Sequence, residues 1–252
     1  MSDTMYYEKP VLLDRDKHRQ RRVLPSGSFA FARKANSLYL AGMEFADACK
    51  EYAIVFTRGS RQEIVPVAML GLRPRENLFV DAKEQWTGEY IPAFVRRYPF
   101  VLAELSGEAM GVCIDEAFQG LNDKEGEPLF DAQGNNTPFL QNALDFLDRY
   151  QQEYRRTESF CRRLDQAGLL VEMNAKADLA DGRSFTVGGL LVVDEKKLLA
   201  LPDAVALSLF RSRELHLISL HLASLPNMKK LVGRMAERKT PLQPAPRPLQ
   251  AT

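Results

Sequence analysis

Residues 137–168 constrain the fold more than any other stretch of this chain. Thr137 is a good helix N-cap, Pro138 suits the first helical position, and Gly168 supplies a stop. Between them Phe139, Ala143, Phe146, Tyr150, Tyr154, Thr157, Cys161 and Leu164 recur at spacings of three and four residues, which places them on one helical face. The spacing predicts a helix of about 29 residues, roughly 44 Å long at the usual rise per residue. Its other face is charged, and Thr157 and Cys161 are weak positions for a coiled-coil seam. Such a helix is the spine of a globular fold, and its apolar face needs cover from elsewhere in the chain.

The cover is predicted to come from a β-rich N-terminal half. Residues 51–56, 63–72 and 77–81 are short runs rich in branched and aromatic side chains, bounded by Gly, Pro and Asn. Pro66 lies inside the second run, which predicts an edge position or a bulge there. A short helix over 91–97 and strands over 99–105 and 111–115 follow. Beyond the spine, 172–179 and 183–193 read as a hairpin turning at Asp181-Gly182. Short helices are expected after Asp194 and over 202–211, 214–224 and 227–238. The fold class is therefore α+β: a β-rich N-terminal half, a long central helix, a β-hairpin and a cluster of short C-terminal helices. A basic extended arm (1–35), a single α+β domain (36–239) with one core shared by both halves, and a Pro-rich tail (240–252) make up the expected organisation.

Composition excludes several classes of function. The 252 residues are 45% hydrophobic and carry a formal net charge of +1, so the chain is neither disordered nor a globally basic nucleic-acid binder. That near-zero charge conceals an asymmetry. Residues 9–34 hold eight Lys or Arg against two acids, a formal +6, whereas residues 76–131 hold twelve acids against four bases, a formal −8. Either the arm lies across the acidic middle, or one of the two faces an external partner of opposite sign. Aromatic interleaving in the arm is limited to Phe29 and Phe31, so no nucleic-acid partner is expected. The longest apolar run, 188–193, is strand-sized, and no basic-then-apolar leader opens the sequence. The expectation is a cytoplasmic location with no membrane span.

Chemistry-bearing motifs are sparse. Cys49, Cys113 and Cys161 are odd in number, scattered and without ligand spacing, which argues against disulfides or a zinc site. His216 and His221 are five residues apart on a predicted helix, so they cannot both face one metal ion. The acidic loop at 120–137 departs from a calcium loop in the placement of its glycine and lacks the terminal bidentate Glu. No phosphate-binding, nucleophile-elbow or metalloprotease motif occurs. No metal, cofactor or catalytic residue is therefore assigned. One cluster could hold a ligand. Trp86, Arg96, Arg97 and Tyr98 combine aromatic faces with paired guanidiniums, which suits a planar or anionic molecule. Asp115 and Glu116, at the exit of a predicted strand, could add general acid–base chemistry. The competing readings are a packed helix–strand corner and ordinary surface carboxylates.

Several blocks taken together resemble the SapC family of bacterial proteins. They are Phe31–Phe56, Tyr90–Glu104, Cys113–Leu121, Leu129–Leu147, Asp181–Asp203 and Leu215–Leu231, which appear in order with ordinary spacing. The resemblance covers roughly residues 7 to 235. It implies association with a bacterial surface layer or cell envelope, a protein partner and no established catalytic residue. The expected function is a non-enzymatic accessory or interaction protein of a cell-envelope, surface-layer or nutrient-uptake system. The alternative is a small-molecule-binding protein or enzyme with its site around 86–100 and Asp115/Glu116.

Overall fold

A computed structural model describes residues 6–25, 27–104, 110–178 and 184–238. The chain begins with strands β1 (Pro10–Leu12), β2 (Arg22–Val23) and β3 (Ser37–Tyr39). A one-turn helix α1 (Phe45–Ala48), strands β4 (Ile54–Arg58) and β5 (Ile64–Met69), and a second short helix α2 (Ala93–Arg96) follow. Next come β6 (Phe100–Glu104), β7 (Met110–Asp115), β8 (Leu121–Asn122) and β9 (Glu127–Pro128). Helix α3 (Pro138–Gln166) leads to a hairpin of β10 (Leu170–Asp178) and β11 (Ser184–Val193). The helices α4 (Glu195–Leu199), α5 (Asp203–Arg211), α6 (Glu214–Ser224) and α7 (Asn227–Glu237) close the described chain. The class is α+β, as predicted. The Asp181-Gly182 turn and the Pro-rich tail lie outside the described residues.

The spine helix has the predicted bounds because its ends are chemically marked. Thr137 Oγ1 accepts from the Leu140 amide at 3.3 Å, and Gly168 takes a left-handed φ of +62° just beyond the last turn. Its buried stripe is wider than the predicted face. Leu140, Leu147 and Phe160 are buried beside Tyr150, Thr157, Cys161 and Leu164, whereas Phe139, Ala143, Phe146 and Tyr154 sit half-buried along the stripe's edge. A helix packed on two surfaces buries a broader arc than one seam needs.

Those two surfaces are two hydrophobic clusters. The larger joins both halves of the chain, from Leu38, Phe45, Ile54 and Phe56 to Phe160, Leu190, Ile218 and Leu231. The smaller gathers Val23, Phe100, Ile114, Phe118, Leu129, Leu140 and Leu147, so α3 contributes to both clusters.

Among the described residues, three antiparallel sheets flank these clusters. A five-stranded sheet runs β10-β11-β4-β5-β3, a second runs β1-β7-β6, and a small third runs β8-β2-β9. The edge expectation for Pro66 is corrected by this order, because β5 lies between β4 and β3. Proline is tolerated there for a local reason. Leu40 N donates to the Pro66 carbonyl at 3.1 Å, β3 ends at Tyr39, and the missing N–H falls where that ladder stops. The run 77–81 is likewise not a strand. It contributes only an isolated bridge between Val80 and Trp86, and buried Asn77 caps the turn by accepting from Phe79 N at 2.8 Å.

The seam between the C-terminal hairpin and the N-terminal strands is short, with Leu191 opposite Phe56 as its registered pair. Helix α6 closes it. Buried His221 accepts from Val193 N at Nε2 (3.1 Å) and holds the Ile54 carbonyl at Nδ1 (2.8 Å). Ser224 Oγ accepts from Ile54 N at 2.9 Å and donates to the His221 carbonyl at 2.6 Å. Two side chains thus satisfy backbone groups that a longer ladder would have paired.

The basic arm meets the acidic middle directly. Asp115, wholly buried, accepts from Glu8 N (3.1 Å), Lys9 N (2.9 Å), Ala117 N (3.1 Å) and the Tyr98 hydroxyl (3.2 Å). Glu116 pairs with Lys9 at 2.8 Å and Lys17 at 2.7 Å, which holds its carboxyl down at about 2. Arg21 reaches Asp123 at 3.1 Å. With β1 on β7 and β2 between β8 and β9, these contacts lead the arm toward the corner formed by α2 and α3.

Candidate ligand-binding cleft

The corner where α2, the edge of α3 and residues 23–31 meet is a cleft of about 440 Å³. That size falls within the usual range of small-molecule sites. Three distant stretches build it. Residues 91–100 supply Arg96, Arg97, Tyr98 and Phe100; α3 supplies Phe139, Asn142, Ala143 and Phe146; the arm supplies Phe29 and Phe31. The half-buried edge of α3 noted above is the helix's contribution to this wall.

Several polar groups on the wall are held by neighbours. Phe31 stacks on Tyr98 with ring centres 4.0 Å apart, while the Tyr98 hydroxyl donates to Asp115. Tyr98 therefore presents its ring, and burial beside Asp115 raises its phenol well above the ordinary range. Ser28 donates to Glu84 at 2.6 Å. Arg97 is 3% exposed, with its guanidinium 4.1 Å from the Phe94 ring centre and 5.1 Å from that of Tyr150. Arg96 is exposed. Its Nε donates to the Ile91 carbonyl at 2.9 Å, and its guanidinium lies 5.3 Å from Phe146 and 5.9 Å from Tyr90.

Beneath α2 sits a buried carboxylate. Glu44 Oε1 accepts from the Tyr90 hydroxyl (2.8 Å) and from Ala93 N (2.7 Å), and Oε2 accepts from Ala41 N (2.9 Å). Burial pushes this carboxyl up, and the three donors with nearby Arg96 pull it partly back.

Of the candidate side chains, Arg96, Arg97 and Tyr98 share the cleft wall, whereas Trp86, Asp115 and Glu116 lie outside it. Trp86 Nε1 donates to the Tyr52 hydroxyl at 3.0 Å, and its ring stacks on Phe79. Asp115 and Glu116 bind the arm, as described above. Sequence reasoning missed Phe29, Phe31, Phe139, Asn142 and Phe146 as wall residues. The one available signal was the spacing of Phe139, Ala143 and Phe146 along an edge of the predicted helix face.

The SapC family model matches residues 13–231, a span that includes every described wall residue of the cleft. The chain belongs to the SapC family. No curated protein and no solved structure matches this SapC-family chain. Among its described residues no helix is long and apolar enough to cross a membrane, and no group of three or more His, Cys, Asp or Glu could hold a metal ion.

Proposed function

We propose that this SapC-family chain is a non-enzymatic accessory protein that holds a small molecule with a largely apolar body in the cleft at α2 and α3. The cleft itself carries the reading. Its described wall is built mainly of phenyl rings and aliphatic groups, and its hydroxyls, Ser28 and Tyr98, are tied to neighbours in ways that fix shape rather than move protons. The setting we infer from the family resemblance is a bacterial cell-envelope, surface-layer or nutrient-uptake system, with the chain in the cytoplasm and its link to the surface made through a partner. A neutral fluorescent arene, N-phenyl-1-naphthylamine, tests the cleft. The full-length protein should bind it saturably, and Ala143→Trp, which fills the cavity from α3, should weaken binding by about tenfold or more. Unchanged binding in that variant would remove the reading.

A separate observation favours a protein partner. Leu199 is 87% exposed and Phe210 66% exposed, with Val205 and Leu207 also open on α5. Exposed large apolar groups on neighbouring short helices suit a docking contact. Leu199→Ser with Phe210→Ser should abolish recovery of partners from the native bacterium without lowering the melting temperature. Equal recovery by both forms would count against docking there.

A further inference from the structure

The geometry points to an aromatic monoanion as the ligand of this cleft, its ring system on Phe31, Phe139 and Phe146 and its charge on Arg96. This step rests on the cleft being a binding site and names what it takes. Arg96 and Arg97 are the charged side chains of the described wall, and no carboxylate stands among them. Arg96 stands exposed at the rim of an apolar cavity, where its positive charge attracts an anion.

The two guanidiniums do different things. Arg97 is buried against Phe94 and Tyr150 and backs the wall. Arg96 is at the rim, where its Nε bond to Ile91 and the rings of Tyr90 and Phe146 fix its plane. A guanidinium carries five N–H donors, so most of Arg96's remain after the Ile91 bond, and no carboxylate pairs with it among the described residues. With Ser28 and Tyr98 already engaged, Arg96 and Asn142 are the polar groups best placed for a ligand.

The body of the ligand follows from the rest of the wall. Phe31, Phe139 and Phe146 are half-buried and offer ring faces, which favour offset or edge contact with another arene. A single guanidinium at the rim matches one negative charge. A polyphosphate would need several cations and would leave the rings uncovered.

A matched pair of dyes separates charge from shape. N-Phenyl-1-naphthylamine is neutral, and 8-anilino-1-naphthalenesulfonate is the same arene bearing one sulfonate. Fluorescence titration of the full-length protein should show the sulfonate bound about tenfold tighter, ~1.4 kcal/mol. In Arg96→Gln the ratio of the two affinities should fall to near one, and Arg96→Lys should retain part of the preference because it keeps the charge but loses the fork. Circular dichroism and melting establish that both variants are folded. Equal affinities for the two dyes, or a ratio unchanged in Arg96→Gln, would overturn the monoanion and leave apolar binding standing. Failure of both dyes to bind the wild-type protein would overturn the cleft and the monoanion together.

Discussion

Replacing His221 by leucine should lower the unfolding free energy by about 2–4 kcal/mol at pH 7. The imidazole bridges two backbone groups at the seam of the five-stranded sheet, Val193 N–H and Ile54 C=O, and both partners are buried with it. Leucine fills the space and leaves the Val193 amide without an acceptor, while the Ile54 carbonyl keeps only a long 3.5 Å contact with Ser224. The same residue makes stability fall in acid. Burial beside Phe56 lowers the His221 pKa from 6.5 to about 4. The unfolded chain therefore binds the proton more readily between those two values. The contribution of neutral His221 is fully present above about pH 6.5 and is lost as pH falls toward 4, to a total of about 3 kcal/mol. Urea unfolding of wild type and His221→Leu across pH 7.5 to 4 reads both effects. The difference between the two proteins should shrink as pH falls; a difference constant with pH would show that His221 is not held neutral.

The seam held by His221 also shows where sequence reasoning stops. Helix α3 was legible to the residue because Thr137, Pro138 and Gly168 mark its ends and a three-four spacing marks its face. Those signals are local, and every element they identify is local. The pairing of β11 with β4 joins residues more than a hundred positions apart through one registered pair, and neither strand's alternation names its neighbour. Pro66 illustrates the same limit: a proline argues for an edge, yet the edge it needed was the end of β3 rather than the rim of the sheet. The cleft was half legible for a related reason. Arg96, Arg97 and Tyr98 are adjacent in sequence and were found together. Trp86 is near them along the chain but lies outside the wall, its Nε1 on the Tyr52 hydroxyl and its ring against Phe79 and the back of the wall residue Phe29. The opposite wall comes from α3 and the arm, and nothing in the periodicity of either stretch says that they meet.

Glu44→Ala should be as damaging as the loss of His221, about 3–5 kcal/mol, because it strands three donors at once. Ala41 N, Ala93 N and the Tyr90 hydroxyl all converge on this carboxylate. Glu44→Gln is the informative comparison. The amide oxygen can still accept from Ala93 N and Tyr90, but its NH₂ must face the Ala41 N–H, so one bond is lost and the cost should be about 1–3 kcal/mol. The pH behaviour has the opposite sign from that of His221. Burial raises the Glu44 carboxyl above its ordinary 4.5, so the folded state binds the proton more readily, and stability is gained as pH falls through the raised value. Glu44→Gln should abolish that gain while leaving the His221 loss in place. The consequence reaches the cleft, since Glu44 anchors the first amide of α2 and the hydroxyl of Tyr90, whose ring lies beside Arg96. As a positioning residue it should therefore affect binding as well as stability: in Glu44→Ala the affinity for the neutral dye, which the loss of a carboxylate charge near Arg96 does not bias, should fall under conditions where the variant is still folded. A variant that lost stability and kept its full affinity for the neutral dye would show that the cleft wall keeps its shape without Glu44.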